Sequence, residues 1–160
     1  MMTRKEQYNQ LILQIAELIK DETNLVGILA NVSAALHDTF PERFFWVGFY
    51  LQENENMLRL GPFQGSVACY VIPFGKGVCG KAWEEGRTLI VPDVEKFPGH
   101  IACSSLSRSE IVVPMYDDSH TFRGVLDIDS TRLNDFNEDD KEGLERIIEL
   151  LMAETQDLFQ

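Results

Sequence analysis

Hydrophobic positions first recur at helical spacing. Leu11, Ile12, Ile15, Leu18 and Ile19 lie three or four residues apart, the period of one helix face. The polar run Asp21-Glu22-Thr23-Asn24 interrupts, and Leu25, Ile28, Leu29, Val32 and Leu36 begin a second amphipathic stretch that ends at Pro41. The period then changes. Phe44 to Leu51 is aromatic and β-branched, Met57 to Phe63 is a shorter apolar segment, and Val67 to Ile72 is a third. Acidic and Asn residues at 53–56 read as the turn between the first two strands. Gly75 to Gly86 predicts a short helix entered through a tight glycine turn, and Leu89, Ile90 and Val91 a brief strand. Residues 93–108 show no period yet hold Pro98, Gly99, His100 and Cys103. A loop that long inside a compact domain is uncommon unless it carries function. Glu110 to Tyr116 and Phe122 to Ile128 read as strands joined by Asp117-Asp118-Ser119-His120. From Asn137 onward, Leu144, Ile147, Ile148, Leu151 and Met152 mark a closing helix.

Strands joined by short turns imply a largely antiparallel sheet, and terminal helices long enough to pack on one face make the fold class α+β. At 160 residues the expectation is one domain spanning residues 1–160. Acids outnumber bases 26 to 14, for a formal charge of −12. A surface that acidic repels phosphate backbones and anionic membranes, which argues against nucleic-acid and membrane partners. The apolar runs are far shorter than the ~20 residues needed to cross a bilayer, and the opening MMTRKEQYNQ has no apolar signal region. A cytoplasmic location is expected.

Three groups of residues are candidates for chemistry. Cys69, Cys79 and Cys103 all fall in the middle of the chain, between glycine-rich turns. Singly, a cysteine in a reducing compartment is a small buried hydrophobe; three in one window suggest joint action. Cys69 is expected on a strand, Cys103 on the long loop, and Cys79 near the start of the short helix. A helix N-terminus there would favour its thiolate. Zinc held by the three thiols and His100 is the rival reading. Its weakness is spacing, since structural zinc sites usually contain a C-x₂₋₄-C pair and none of these gaps is that short.

Glu110, Asp127 and Asp129 form the second group. Asp127 and Asp129 flank Ile128 in a strand and so point to one face, within the otherwise apolar run Gly124 to Ser130. Buried carboxylates are costly without a cation. A ligand ammonium would supply one, and a proton shared between crowded acids would leave one ready to donate. The third group is aromatic. Alternation puts Trp46 and Tyr50 on one side, with Gly48 between them, and Phe45 and Phe49 on the other; Trp46 and Tyr50 could wall a pocket over the gap at Gly48. The segment GKGVCGK contains no phosphate-binding glycine pattern.

Taken together, Trp46-Val47-Gly48-Phe49-Tyr50, Leu60-Gly61-Pro62-Phe63-Gln64-Gly65, Gly75-Lys76-Gly77-Val78-Cys79-Gly80, Phe97-Pro98-Gly99-His100-Ile101-Ala102-Cys103, Ser109 to Pro114 and Gly124 to Ser130 resemble the free methionine-(R)-sulfoxide reductases, which are single GAF domains. The resemblance covers nearly the whole chain. It implies a sheet with the N- and C-terminal helices on one face and an active-site loop on the other. It also implies that Cys103 attacks the sulfoxide, that Cys69 resolves the product as a disulfide, and that Cys79 is a further or alternative resolving thiol. Glu110, Asp127 and Asp129 match the acids that hold the substrate and polarise its oxygen, and Trp46 and Tyr50 match pocket aromatics. The chain departs from the family pattern at Ser104, where Asp is common, and at Phe45, where a polar residue is common.

The activity so implied is repair of oxidised free methionine under oxidative stress. It uses no metal or organic cofactor, and thioredoxin is the reductant. GAF domains often pair through terminal helices, so a homodimer is expected. The residues suit the chemistry. A thiolate attacks sulfur while an acid protonates the departing oxygen, leaving methionine and a sulfenic acid. A second thiol condenses with the sulfenic acid to a disulfide that an external dithiol reduces. The rival from another class is a non-catalytic GAF module that binds a small ligand, which would have no need of three thiols.

Overall fold

A computed structural model describes residues 1–101 and 103–159. Helix α1, Arg4–Ile19, starts at a capping box between Thr3 and Glu6, which satisfies amide donors that the first turn leaves open. Helix α2, Leu25–Thr39, follows. Next come strands β1 (Trp46–Asn54), β2 (Met57–Gln64) and β3 (Val71–Pro73), helix α3 (Gly77–Glu85) and strand β4 (Leu89–Val91). A 3₁₀ turn at Val94–Lys96 opens the long loop, which leads into β5 (Ser109–Tyr116), β6 (Phe122–Ser130) and helix α4 (Glu138–Thr155). The six strands form one sheet in the order β3-β2-β1-β6-β5-β4, and every pairing is antiparallel.

The sheet separates two apolar layers. Phe44, Val47, Phe49, Ile111, Val113, Leu126 and Ile128 pack against α1, α2 and α4. Trp46, Tyr50, Val112 and Val125 face the other way, toward α3 and the segment around Val94. Terminal helices therefore cover one face, and α3 with the long loop covers the other.

Asp140, wholly buried at the start of α4, ties this helix to the rest. Its carboxylate accepts from Arg4 Nη1 at 2.7 Å, Arg43 Nη2 at 3.0 Å and Tyr8 Oη at 2.7 Å. Two guanidiniums and a hydroxyl offset the large cost of burying that charge. Gly143, one turn further along α4, is needed because any Cβ there would overlap the Tyr8 ring.

Two sequence expectations need correction. The predicted strand at 67–72 is a strand only from Val71, and Cys69 lies in an irregular stretch, 65–70. The chain turns at Gly65, whose φ is +139°. The Ser66 and Cys69 carbonyls then accept hydrogen bonds from Trp46 Nε1 and Tyr50 Oη, both at 3.0 Å. Bonds to side chains thus replace the ladder bonds a strand would make. Second, Phe45 does not lie opposite Trp46. It precedes the first residue of β1, where alternation does not yet apply, and it packs in the same layer as Trp46.

Candidate active site

Antiparallel register assembles the acids. Glu110 on β5 lies directly opposite Asp129 on β6, and Asp127 opposite Val112, so all three carboxylates emerge on the α3 face. On the other side of β6, Trp46 pairs with Asp129 and Gly48 with Asp127. The aromatic wall and the acids are therefore neighbours on one surface. Trp46 stacks on Tyr50 with ring centroids 5.8 Å apart and on Phe63 at 5.1 Å. Phe63 corrects the expected gap at Gly48. It pairs with Gly48 across β1 and β2, and a Cβ at position 48 would collide with its backbone and Cβ.

Glu110 and Asp127 are buried, and Asp129 is half-buried. Among the described residues, Asp127 Oδ1 has no hydrogen-bond partner. His100 Nε2 lies 3.9 Å from the Glu110 carboxylate. Burial first, and mutual repulsion second, push Glu110 and Asp129 well above the usual carboxylate range. Burial also raises Asp127, so the cluster holds protons that isolated carboxyls would have lost. Burial lowers His100 from the usual imidazole value. Burial and then Asp127 raise the Tyr50 phenol.

The three cysteines divide into a pair and a single. Cys69 and Cys103 are disulfide-bonded, with Cα atoms 5.5 Å apart, joining the 65–70 stretch to the long loop. Cys79 is a free, buried thiol. It occupies the first turn of α3, but the expected thiolate is not favoured there. Burial, reinforced by Asp127 and Glu110, raises its pKa well above that of an ordinary thiol, and this outweighs the helix N-terminus. The zinc set of three thiols and His100 is not assembled either, since two of the sulfurs are bonded to each other. A different trio, Cys79 Sγ with one oxygen each of Glu110 and Asp127, lies within 4.8 Å and is the only such metal-compatible group among the described residues.

Seven of the eight predicted site residues line one cavity of about 50 Å³, and the eighth, Cys69, is bonded to one of them, Cys103. That volume holds a few waters. The sequence reading missed Phe63, and it missed His100 in any role but zinc ligand. Pairing Gly48 across a hairpin would have exposed the first; no local pattern marks the second. The arrangement puts one cysteine of a disulfide, three proton-rich acids and an aromatic wall around one cavity, which suits thiol attack coupled to protonation of a leaving oxygen.

A GAF-domain family profile matches residues 22–153. GAF domain-containing protein A of Dictyostelium discoideum is 56% identical, over 93% of this chain and 92% of its own. The free methionine-R-sulfoxide reductase of Saccharomyces cerevisiae is 43% identical, over 94% of this chain and 86% of its own. The X-ray structure of free methionine-R-sulfoxide reductase from Neisseria meningitidis, in complex with its substrate, superposes with a TM-score of 0.93 at 46% identity, covering 98% of this chain and 92% of that one. The fold, the site and these likenesses agree: the chain belongs to the free methionine-R-sulfoxide reductases, a family built on the GAF domain.

Proposed function

We propose that this chain, acting as a single GAF domain over residues 1–160, reduces free methionine-(R)-sulfoxide to methionine. The observation that carries the reading is the Cys69–Cys103 disulfide beside a pocket of three crowded acids and an aromatic wall. It is supported by the activity for which the yeast and Neisseria relatives are named.

In the reduced enzyme, Cys103 as thiolate attacks the sulfoxide sulfur. A carboxyl of the Glu110, Asp127 and Asp129 cluster, kept protonated by burial, donates to the oxygen. Methionine leaves and Cys103 carries the oxygen as a sulfenic acid. Cys69 displaces it as water, forming the disulfide, and thioredoxin reduces the bridge. The substrate ammonium sits against the ionised member of the cluster, which favours the free amino acid over a peptide. Trp46 and Tyr50 enclose the methyl thioether end. Cys79, buried and protonated, is assigned first to the pocket wall and only second to a resolving role.

Among the described residues no helix is long and apolar enough to cross a membrane, and recycling by thioredoxin suits the cytoplasm. Leu13 and Leu18 on α1 and Val26 on α2 are exposed, and a homodimer formed through these helices would cover them. The deciding experiment is NADPH consumption with thioredoxin, thioredoxin reductase and racemic free methionine sulfoxide. Turnover is expected to stop near half the substrate and to vanish in Cys103→Ser. No turnover with intact thiols would overturn the reading.

A further inference from the structure

Two uncharged segments meet at the disulfide. In a chain that is 25% charged, residues 60–75 and 97–107 contain no Asp, Glu, Lys or Arg. The Cys69–Cys103 bond draws them together, with Cα atoms 5.5 Å apart. Large apolar side chains point outward around it: Val67 is 87% exposed, Tyr70 78% and Leu106 59%. Val67 and Tyr70 lie within two residues of Cys69, and Leu106 lies three from Cys103. Val67 reaches the mouth of the pocket, whereas Tyr70 and Leu106 are not among its lining residues. Scattered exposed apolar residues need no explanation, but a group of them flanking both cysteines of a reducible bond in sequence does.

We propose that this uncharged apolar rim is the docking surface for the protein that reduces the Cys69–Cys103 bridge. The partner is a small dithiol protein whose reactive cysteine is itself ringed by uncharged, apolar surface. The inference rests on the recycling step of the proposed function and adds where the reductant binds. With a net charge of −12 elsewhere on the chain, the rim is where a close-packed interface desolvates no carboxylate, and charge-depleted interface centres are the general pattern. Tyrosine is also enriched among residues that anchor interfaces.

The exchange balances. A partner thiolate attacks one bridge sulfur, forming an intermolecular disulfide and releasing the other cysteine as a thiolate that takes a proton. The partner's second thiolate then attacks the partner sulfur of that mixed bond, and the remaining cysteine leaves and is protonated. Two electrons and two protons pass to Cys69 and Cys103, and the partner ends as a disulfide. A small dithiol such as dithiothreitol performs the same exchange without needing the rim.

The test uses the full chain, oxidised, with no sulfoxide present. Reduction of its disulfide is timed with thioredoxin and, separately, with dithiothreitol, for wild type, Tyr70→Glu, Leu106→Glu and the milder Tyr70→Ser. The expected result is a thioredoxin rate constant about tenfold lower in each Glu variant, equivalent to about 1.4 kcal/mol. A smaller drop is expected in Tyr70→Ser, with dithiothreitol rates within about twofold of wild type. Unchanged thioredoxin rates, or a parallel loss with both reductants, would overturn the proposal. So would a wild-type bridge that dithiothreitol opens and thioredoxin does not. Since no sulfoxide enters the assay, a chain that passes it yet turns over no sulfoxide would count against the reductase reading alone.

Discussion

The Tyr50 hydroxyl donates a hydrogen bond to the backbone carbonyl of Cys69 at 3.0 Å. The pocket wall thereby holds the backbone of the residue that bridges to Cys103. Tyr50→Phe keeps the ring stack and removes this tether, a loss of about 1 kcal/mol for a neutral bond. Formation of the bridge after sulfoxide reduction is expected to slow about fivefold, equivalent to that energy. In rapid-quench kinetics the first turnover of methionine should be close to normal while disulfide formation lags. Equal slowing of both steps would point to Tyr50 as a substrate contact alone.

Asp129 is half-buried where Glu110 and Asp127 are buried, so it is the member most open to an arriving ammonium, whose charge would draw off its proton. Asp129→Asn is expected to raise KM for free methionine sulfoxide about tenfold or more, the scale of a lost charge-assisted hydrogen bond. Steady-state kinetics would show it, and an unchanged KM would remove ammonium recognition from this residue.

The acid cluster also makes stability depend on pH in a stated direction. The folded pKa values of Glu110, Asp127 and Asp129 are raised. Above the ordinary carboxylate value of about 4, the folded protein therefore binds more protons than the unfolded one, and stability falls as pH rises through the raised values. Thermal melts of the substrate-free protein should show this decline, and Glu110→Gln should flatten it. A melting temperature in Glu110→Gln that declines as steeply as wild type would contradict the argument.

Closing the bridge constrains the loop between Cys69 and Cys103, a sequence separation of 34. The constraint contributes up to about 4 kcal/mol by chain entropy, so reduction is expected to lower the melting temperature. It should also free the 93–108 loop, because the cavity of about 50 Å³ that His100, Cys103 and Ser107 help to line is small for an amino acid. Lys96 and Arg108, both exposed, give trypsin two sites at which to report this. Faster cleavage there in the reduced protein is the expected outcome; identical digestion in both states would argue against loop movement.

Gly143→Ala tests the contact between α1 and α4. The added methyl overlaps the Tyr8 ring and displaces the hydroxyl that Asp140 accepts from. Overpacking of this kind costs about 1–3 kcal/mol. Urea unfolding should register that loss with little effect on KM, since the site lies on the opposite face of the sheet.

Much of this was legible along the chain. Helical spacing located α1, α2 and α4, and the paired acids around Ile128 and the alternation of Trp46 with Tyr50 placed functional side chains on one face. Those are local properties, because a side chain's direction follows from the period of its own element. The resemblance carried by the cysteine contexts supplied the family. The apolar neighbours of Cys69 mimic a strand, while the bonds that decide the backbone there come from Trp46 and Tyr50 some twenty residues earlier. For Cys79 the sequence shows the helix start that would activate a thiol but not the carboxylates of Glu110 and Asp127 beside it. The sequence by itself determined the elements, their buried faces and the residue types available for chemistry. Only the tertiary structure decided that the Cys79 thiol stays protonated and that three acids share one pocket with, among the described residues, no Lys or Arg paired to them, because those outcomes depend on register and burial between strands distant in the chain.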